Sequence, residues 1–118
     1  MDITAYFVET YGLEQDDKLT MNIELWVKAC HMLTKDYHLT DEQQAIIDLL
    51  YVGCQLSSAP LFLIPPSAML ASEHVRDFSV SFASLVKDAE DAGYCGQFRR
   101  LLEIFGYRNG ALARIIVR

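Results

Sequence analysis

The chain reads as all-α: a compact bundle of about five helices with a proline-rich central connector. Two observations carry this fold class, and a third agrees with them. Apolar residues recur at three- and four-residue spacing over most of the chain. Residues that cap helices stand just ahead of several of these runs. No segment alternates apolar and polar residues as a half-buried strand would, and "RIIVR" at the end has strand-like residues without an evident pairing partner.

The elements follow in order. Asp2 is placed to cap a short helix running to about Tyr11, closed by Gly12. "LEQDDK" reads as a polar turn, and Thr20 then stands ahead of a second helix, "MNIELWVKACHMLTKD", with Glu24 and Lys28 paired at i, i+4. Thr40 opens a third with the capping-box pattern Thr40-x-x-Gln43, and Asp41 and Glu42 lie in the first turn where the helix dipole favours them. This helix extends to about Leu56. Pro60, Pro65 and Pro66 interrupt the pattern, so "PLFLIPP" reads as an extended connector with its apolar side chains tucked inward. Ser72 is placed to cap a fourth helix, "EHVRDFSVSFASLVKDAEDA", whose apolar stripe is Val75, Phe78, Phe82, Leu85, Val86 and Ala89. Gly93 ends it, "GYCG" reads as a turn, and a fifth helix carries Phe98, Leu101, Leu102 and Phe105 before Gly106 closes it.

At 118 residues the chain is read as one domain. It divides into an acidic half (1–58), an apolar connector (59–71) and a C-terminal helical part (72–118) with a basic tail. With 52% hydrophobic and 22% charged residues it is not a disordered composition. Charge is segregated: −7 over residues 1–48, −3 over 49–93 and +4 over 94–118, for a net −6. The N-terminus "MDITAYFVET" has no basic region ahead of an apolar stretch, and no apolar run approaches the ~20 residues of a membrane span. Three cysteines, Cys30, Cys54 and Cys95, are an odd number without a close pair, and are read as free thiols of a reducing, cytoplasmic compartment.

Motifs for chemistry are sparse. Cys30 and His31 are adjacent on a helix and so point about 100° apart, which prevents a nucleophile–base pair between them. His31, His38 and His74 share no ligand spacing, and no C-x-x-C, phosphate loop or nucleophile elbow occurs. No catalytic residue, metal ligand, cofactor or small-molecule substrate is assigned, and the chain is read as non-enzymatic.

Helices two and three are apolar on more than one face. In the second, Met21, Leu25, Ala29 and Met32 line one side, while Ile23, Trp26, Val27 and Cys30 spread onto another. The third holds a single charge, Asp48, along "AIIDLLYVGCQL". Either such a helix is central and covered on all sides, or it meets a second copy or a partner protein. The candidate interface is placed at Trp26, Ile23, Val27, Ile47, Tyr51 and Phe62, because Trp and Tyr most often carry interface energy.

The stretch "FRRLLEIFGYRNGALARIIVR" resembles the helix-turn-helix motif of DNA-binding proteins. Leu101 and Phe105 match its first buried positions, Gly106 the turn glycine, and Leu112 and Ile115 the buried face of the second helix. The resemblance covers about 21 residues and implies that Arg108 and Asn109 meet base edges while Arg114 and Arg118 reach phosphates. Arg99 and Arg100 add to the same basic surface, or serve as internal counterparts to Asp88, Glu90 and Asp91.

Three functional readings follow. The first is a helical binding protein acting by protein–protein contact, an adaptor, subunit or inhibitor, as a homodimer. The second is a helix-turn-helix transcriptional regulator. The third is an acidic inhibitor that mimics nucleic acid, for which a net charge of −6 is a sparse array beside the phosphate spacing of a duplex.

Overall fold

Short oxygen-bearing side chains set the helix starts. The computed structural model describes residues 2–70 and 93–108. Among them are four α-helices, α1 (Ile3–Tyr11), α2 (Asp17–Leu33), α3 (Asp41–Ser57) and α4 (Gly93–Arg108), with a 3-10 turn at Lys35–Tyr37 and no strand. None of these helices is long and apolar enough to cross a membrane. The fourth helix expected over "EHVRDFSVSFASLVKDAEDA" and the segment 109–118 lie outside the described residues.

The Asp2 carboxylate accepts from the Ala5 amide at 3.0 Å, and Gly12 closes α1 in the left-handed region at φ 65°. Thr40 and Gln43 form the reciprocal capping box, each side chain accepting from the other's backbone N–H. Helix α2 begins earlier than the sequence suggested. Asp16 accepts from the Leu19 amide at 2.8 Å, so "DDK" is cap and first turn rather than a loop. At the other end of the chain, "GYCG" is the first turn of α4, and that helix continues through Gly106 to Arg108 instead of closing there.

Helix α3 is the centre. Ile46, Ile47, Leu49, Leu50, Val52 and Leu56 are each at most 1% exposed. Burying each such side chain is worth about 1.5–3 kcal/mol, which explains why this helix carries only one charge, Asp48, beyond its first turn. It packs against α2, α4 and, less extensively, α1. His31 pairs with Asp48 and Thr34 with Gln44, so α2 runs antiparallel to α3. Tyr51 stacks edge-on against Phe98 at 5.3 Å and Cys54 is bonded to Cys95, so α4 also runs antiparallel to it.

This cystine corrects the expectation of three free thiols. Only Cys30 is free, and it is buried. Cys54 and Cys95 are 41 residues apart, and the antiparallel crossing brings their Cα atoms to 4.5 Å.

The same crossing depends on Gly53. A Cβ there would overlap the Tyr94 ring, which is fully buried. Tyr94 in turn meets the Phe7 ring at 5.5 Å and bonds the Tyr11 hydroxyl at 2.7 Å, which docks α1. Replacement of Gly53 by Ala is expected to cost about 1–3 kcal/mol through overpacking, read as a lower urea midpoint with an unchanged slope. An unchanged midpoint would show that α3 and α4 do not approach this closely.

Candidate functional site

Helix α2 is apolar on two opposite faces. Successive residues turn by about 100°, so Leu19, Ile23, Trp26, Val27 and Cys30 gather on one side and Met21, Leu25 and Met32 on the other. The first group is core: Leu19, Ile23 and Cys30 are buried, with Trp26 and Val27 packed against them. The second faces outward. Met21, Leu25, Met32 and the nearby Leu33 are between 59% and 75% exposed. Lys28 and Glu24 lie along one edge of this stripe, both exposed.

A second apolar patch adjoins the start of α2. Residues 58–70 leave α3 as a series of turns, not as an extended segment. The Leu56 carbonyl accepts from the amides of both Leu63 and Ile64, at 2.9 and 3.3 Å, and the Ser58 carbonyl from Phe62 at 3.1 Å. The chain thereby caps α3 and curls back on itself, through a cis Ala59–Pro60 peptide. Of the apolar run expected to point inward, only Ile64 is buried; Leu61, Phe62 and Leu63 are exposed, Phe62 at 57%. Phe62 sits at φ 43°, a conformation that costs a bulky L residue about 1–3 kcal/mol. Leu61 and Leu63 line a groove of about 300 Å³ together with Leu13 and Leu19 and the polar residues Glu14, Asp16, Lys18 and Asn22.

The far end of the segment is pinned by Gln97, which is fully buried. Its side-chain oxygen accepts from the Leu70 amide at 2.7 Å and its nitrogen donates to the Leu70 carbonyl at 3.2 Å. One side chain thus satisfies both polar groups of a buried residue.

Between α2 and α3 lies a polar cluster centred on Asp48. Its carboxylate bonds His31 Nε2 at 2.6 Å and accepts from Gln44 Nε2 at 2.8 Å, while Gln44 also donates to Thr34. Cys30 and His31, unable to face each other, both reach Asp48. The cluster places a thiol, a carboxylate and an imidazole together, yet burial pushes the Cys30 thiol well above its usual range, and the neighbouring Asp48 carboxylate pushes it further. A thiol so held is a poor nucleophile. The arrangement joins two helices.

The predicted contact residues fall into three groups. Ile23 and Ile47, at 2% and 0% exposed, are core and present no surface. Trp26, Val27 and Tyr51 are half-buried against that core, and Phe62 is exposed. Thus the outward face of α2 is the Met21–Leu25–Met32 side, opposite the side chosen from sequence. Lys18 and Lys28 were the available signal, since a face bearing two lysines is the costlier one to bury. On α4, Arg99 is exposed and Arg100 is mostly buried, with an ion pair to Glu103 at 3.4 Å. Arg108 is the last residue of α4, while Asn109, Arg114 and Arg118, with the acids Asp88, Glu90 and Asp91, lie outside the described residues. No group of His, Cys, Asp and Glu with metal-binding geometry occurs among the described residues.

No protein family, curated protein or solved structure matches the chain.

Two measurements check this geometry. Asp48→Ala strands Gln44 and His31 and is expected to cost about 2 kcal/mol, below the 3–5 of a fully buried pair because His31 is half in solvent. His31→Ala should cost less than half as much. Equal losses would remove Asp48 from the centre of the cluster. Thiol titration should find no reactive cysteine in the native, unreduced protein, one after denaturation and three after denaturation with reduction. More than one before reduction would mean that the Cys54–Cys95 bond is absent.

Proposed function

We propose that the chain is a non-enzymatic helical protein that acts by protein–protein contact, as an adaptor, subunit or inhibitor. The observation that carries this reading is the alignment of Met21, Leu25 and Met32 on the side of α2 opposite the core. Single exposed apolar residues are ordinary on protein surfaces. Several at helical spacing on one rigid element, with further exposed apolar residues at Leu61 and Leu63 near the start of the same helix, form the kind of surface that marks a contact site. Methionine suits such a role because its flexible thioether adapts to an irregular partner surface.

The chemistry-bearing groups are consistent with this reading. The Cys30–Asp48–His31 convergence is used to hold helices, with the thiol buried and kept protonated.

The test compares the wild-type chain with Leu25→Glu, a change on the exposed face that leaves the core untouched. The wild type is expected to associate with itself or retain a protein partner, and Leu25→Glu to weaken that binding at least tenfold with unchanged helical circular dichroism. The control is titration of labelled mixed-sequence duplex DNA at low and higher salt. Duplex binding that falls steeply with salt, in a chain that binds no protein, would replace this reading with nucleic-acid recognition by the C-terminal arginines.

A further inference from the structure

Resting on the protein-contact reading, we propose that the occupant of the α2 face is a second copy of this chain, docked antiparallel about a two-fold axis near the middle of the stripe. Met21 of one copy then meets Met32 of the other, with Leu25 between them.

Three features of the face lead to this occupant. The first is charge. A chain of net −6 repels its own copies, and residues 1–48 carry −7 of that. The exposed face of α2 is an exception, where Asp17 and Glu24 are matched by Lys18 and Lys28. The stripe itself is neutral, so two copies can meet along it with less of the general penalty, with Glu14 and Asp16 at the groove as the nearest further acids.

The second is the order of those charges. Glu24 and Lys28 lie on the same flank of the stripe, one turn apart. A two-fold axis perpendicular to the helix, which makes the two copies antiparallel, keeps that flank on the same side in both. Antiparallel docking centred between Leu25 and Lys28 therefore sets Glu24 of each copy beside Lys28 of the other, twice over. Parallel docking, about an axis that runs along the helices, would put this flank on opposite sides of the contact and leave Glu24 and Lys28 without each other. The face is self-complementary in one orientation only.

The third is shape. The opposite flank of α2, at Lys18, Leu19 and Asn22, opens onto the groove of about 300 Å³ walled by Leu61 and Leu63. Leu33, at the other end of the helix, projects from that same flank. Antiparallel docking carries Leu33 of each copy to the level of Thr20 in the other, beside this groove, which is large enough for a leucine side chain. A stripe about 16 Å long on its own is a small contact. Two leucines seated in two grooves bring it toward the ~800 Å² per partner of a stable interface.

The experiment is sedimentation velocity across a concentration series, with circular dichroism as the check on folding. Wild type is expected to pass from monomer to dimer, and Leu25→Glu to remain a monomer. Glu24→Lys and Lys28→Glu are each expected to weaken self-association at least tenfold. An equimolar mixture of these two variants should recover the dimer, because every pair across the interface is then a lysine facing a glutamate. Leu33→Asp should weaken the dimer without altering the mixture's charge preference. A mixture that stays monomeric, or single charge variants that dimerise like wild type, would falsify docking through this face. A wild type that stays monomeric yet binds a different protein through Leu25 sinks the self-docking alone. A wild type that neither self-associates nor binds protein sinks the contact reading as well.

Discussion

The missing side chain at Gly53 is the constraint on which the other contacts rest. It lets α3 and α4 cross closely enough for the Tyr94 ring to occupy the space where a Cβ would stand. That ring is completely buried and acts as a second floor for the core. Phe7 packs against its edge, and its hydroxyl finds the Tyr11 hydroxyl, so α1 is fixed through a residue of α4. Burial pushes both phenols above their ordinary range; the hydrogen bond between them adds to the rise at Tyr94, to which Tyr6 also bonds, and offsets part of it at Tyr11. One residue on, the Cys54–Cys95 bond makes the crossing covalent, and shortly after it Gln97 holds the Leu70 backbone. The first turn and a half of α4 thus joins α3, α1 and the segment leaving α3.

Helix α2 is attached differently, and the difference matters for what it exposes. It contributes an apolar line of Leu19, Ile23 and Cys30 to the core, but its register against α3 is specified by polar groups. Asp48 is the one charge within the buried length of α3, and its two oxygens are directed to His31 and Gln44. A buried carboxylate left without partners is costly, so a slip of α2 by one turn, which would strand Asp48, is disfavoured. The Thr34 hydroxyl donates to the Cys30 carbonyl at 2.8 Å and accepts from Gln44, which extends the same polar seam to the last turn of α2. With register settled on one side, the other side of the helix is left free of structural duty.

The parts legible in the sequence were those governed by local rules. Asp2, Gly12 and the Thr40–Gln43 box are signals within three or four residues of the backbone groups they satisfy, and they were read directly. Asp16 and Asp17 obey the same rule, but an adjacent acidic pair also reads as a solvated turn, and only the bond to the Leu19 amide distinguishes the two. The two apolar faces of the second helix were visible as well. Which of them is core was not, because that choice is made by α3. The contacts that stayed hidden are long-range. Cys54 with Cys95 and Gln97 with Leu70 are separated by 41 and 27 residues and leave no trace in periodicity. "PLFLIPP" misled for a related reason: its proline content marks a break, but its turns are set by the free carbonyls at the end of α3.

A rigid surface loses less ordering entropy on binding than a loop does, and the α2 stripe is held at both ends. Near its C-terminus the Asp48 cluster ties His31 to α3 at the level of Met32. At its N-terminus the Asp16 cap and the groove wall at Leu61 and Leu63 frame the first turns. The strained backbone of Phe62 belongs to the same frame. Three backbone hydrogen bonds, two to the Leu56 carbonyl of α3 and one to the carbonyl of its C-cap Ser58, keep this residue and its neighbours in place, with Phe62 turned out into solvent instead of into the core. A fold in which hydrophobic burial alone decided geometry would have tucked that ring away and relieved the backbone. Apolar side chains held outward on a fixed helix and a tightly bonded turn are a preorganised contact surface, and the fold spends its polar interactions on keeping them there.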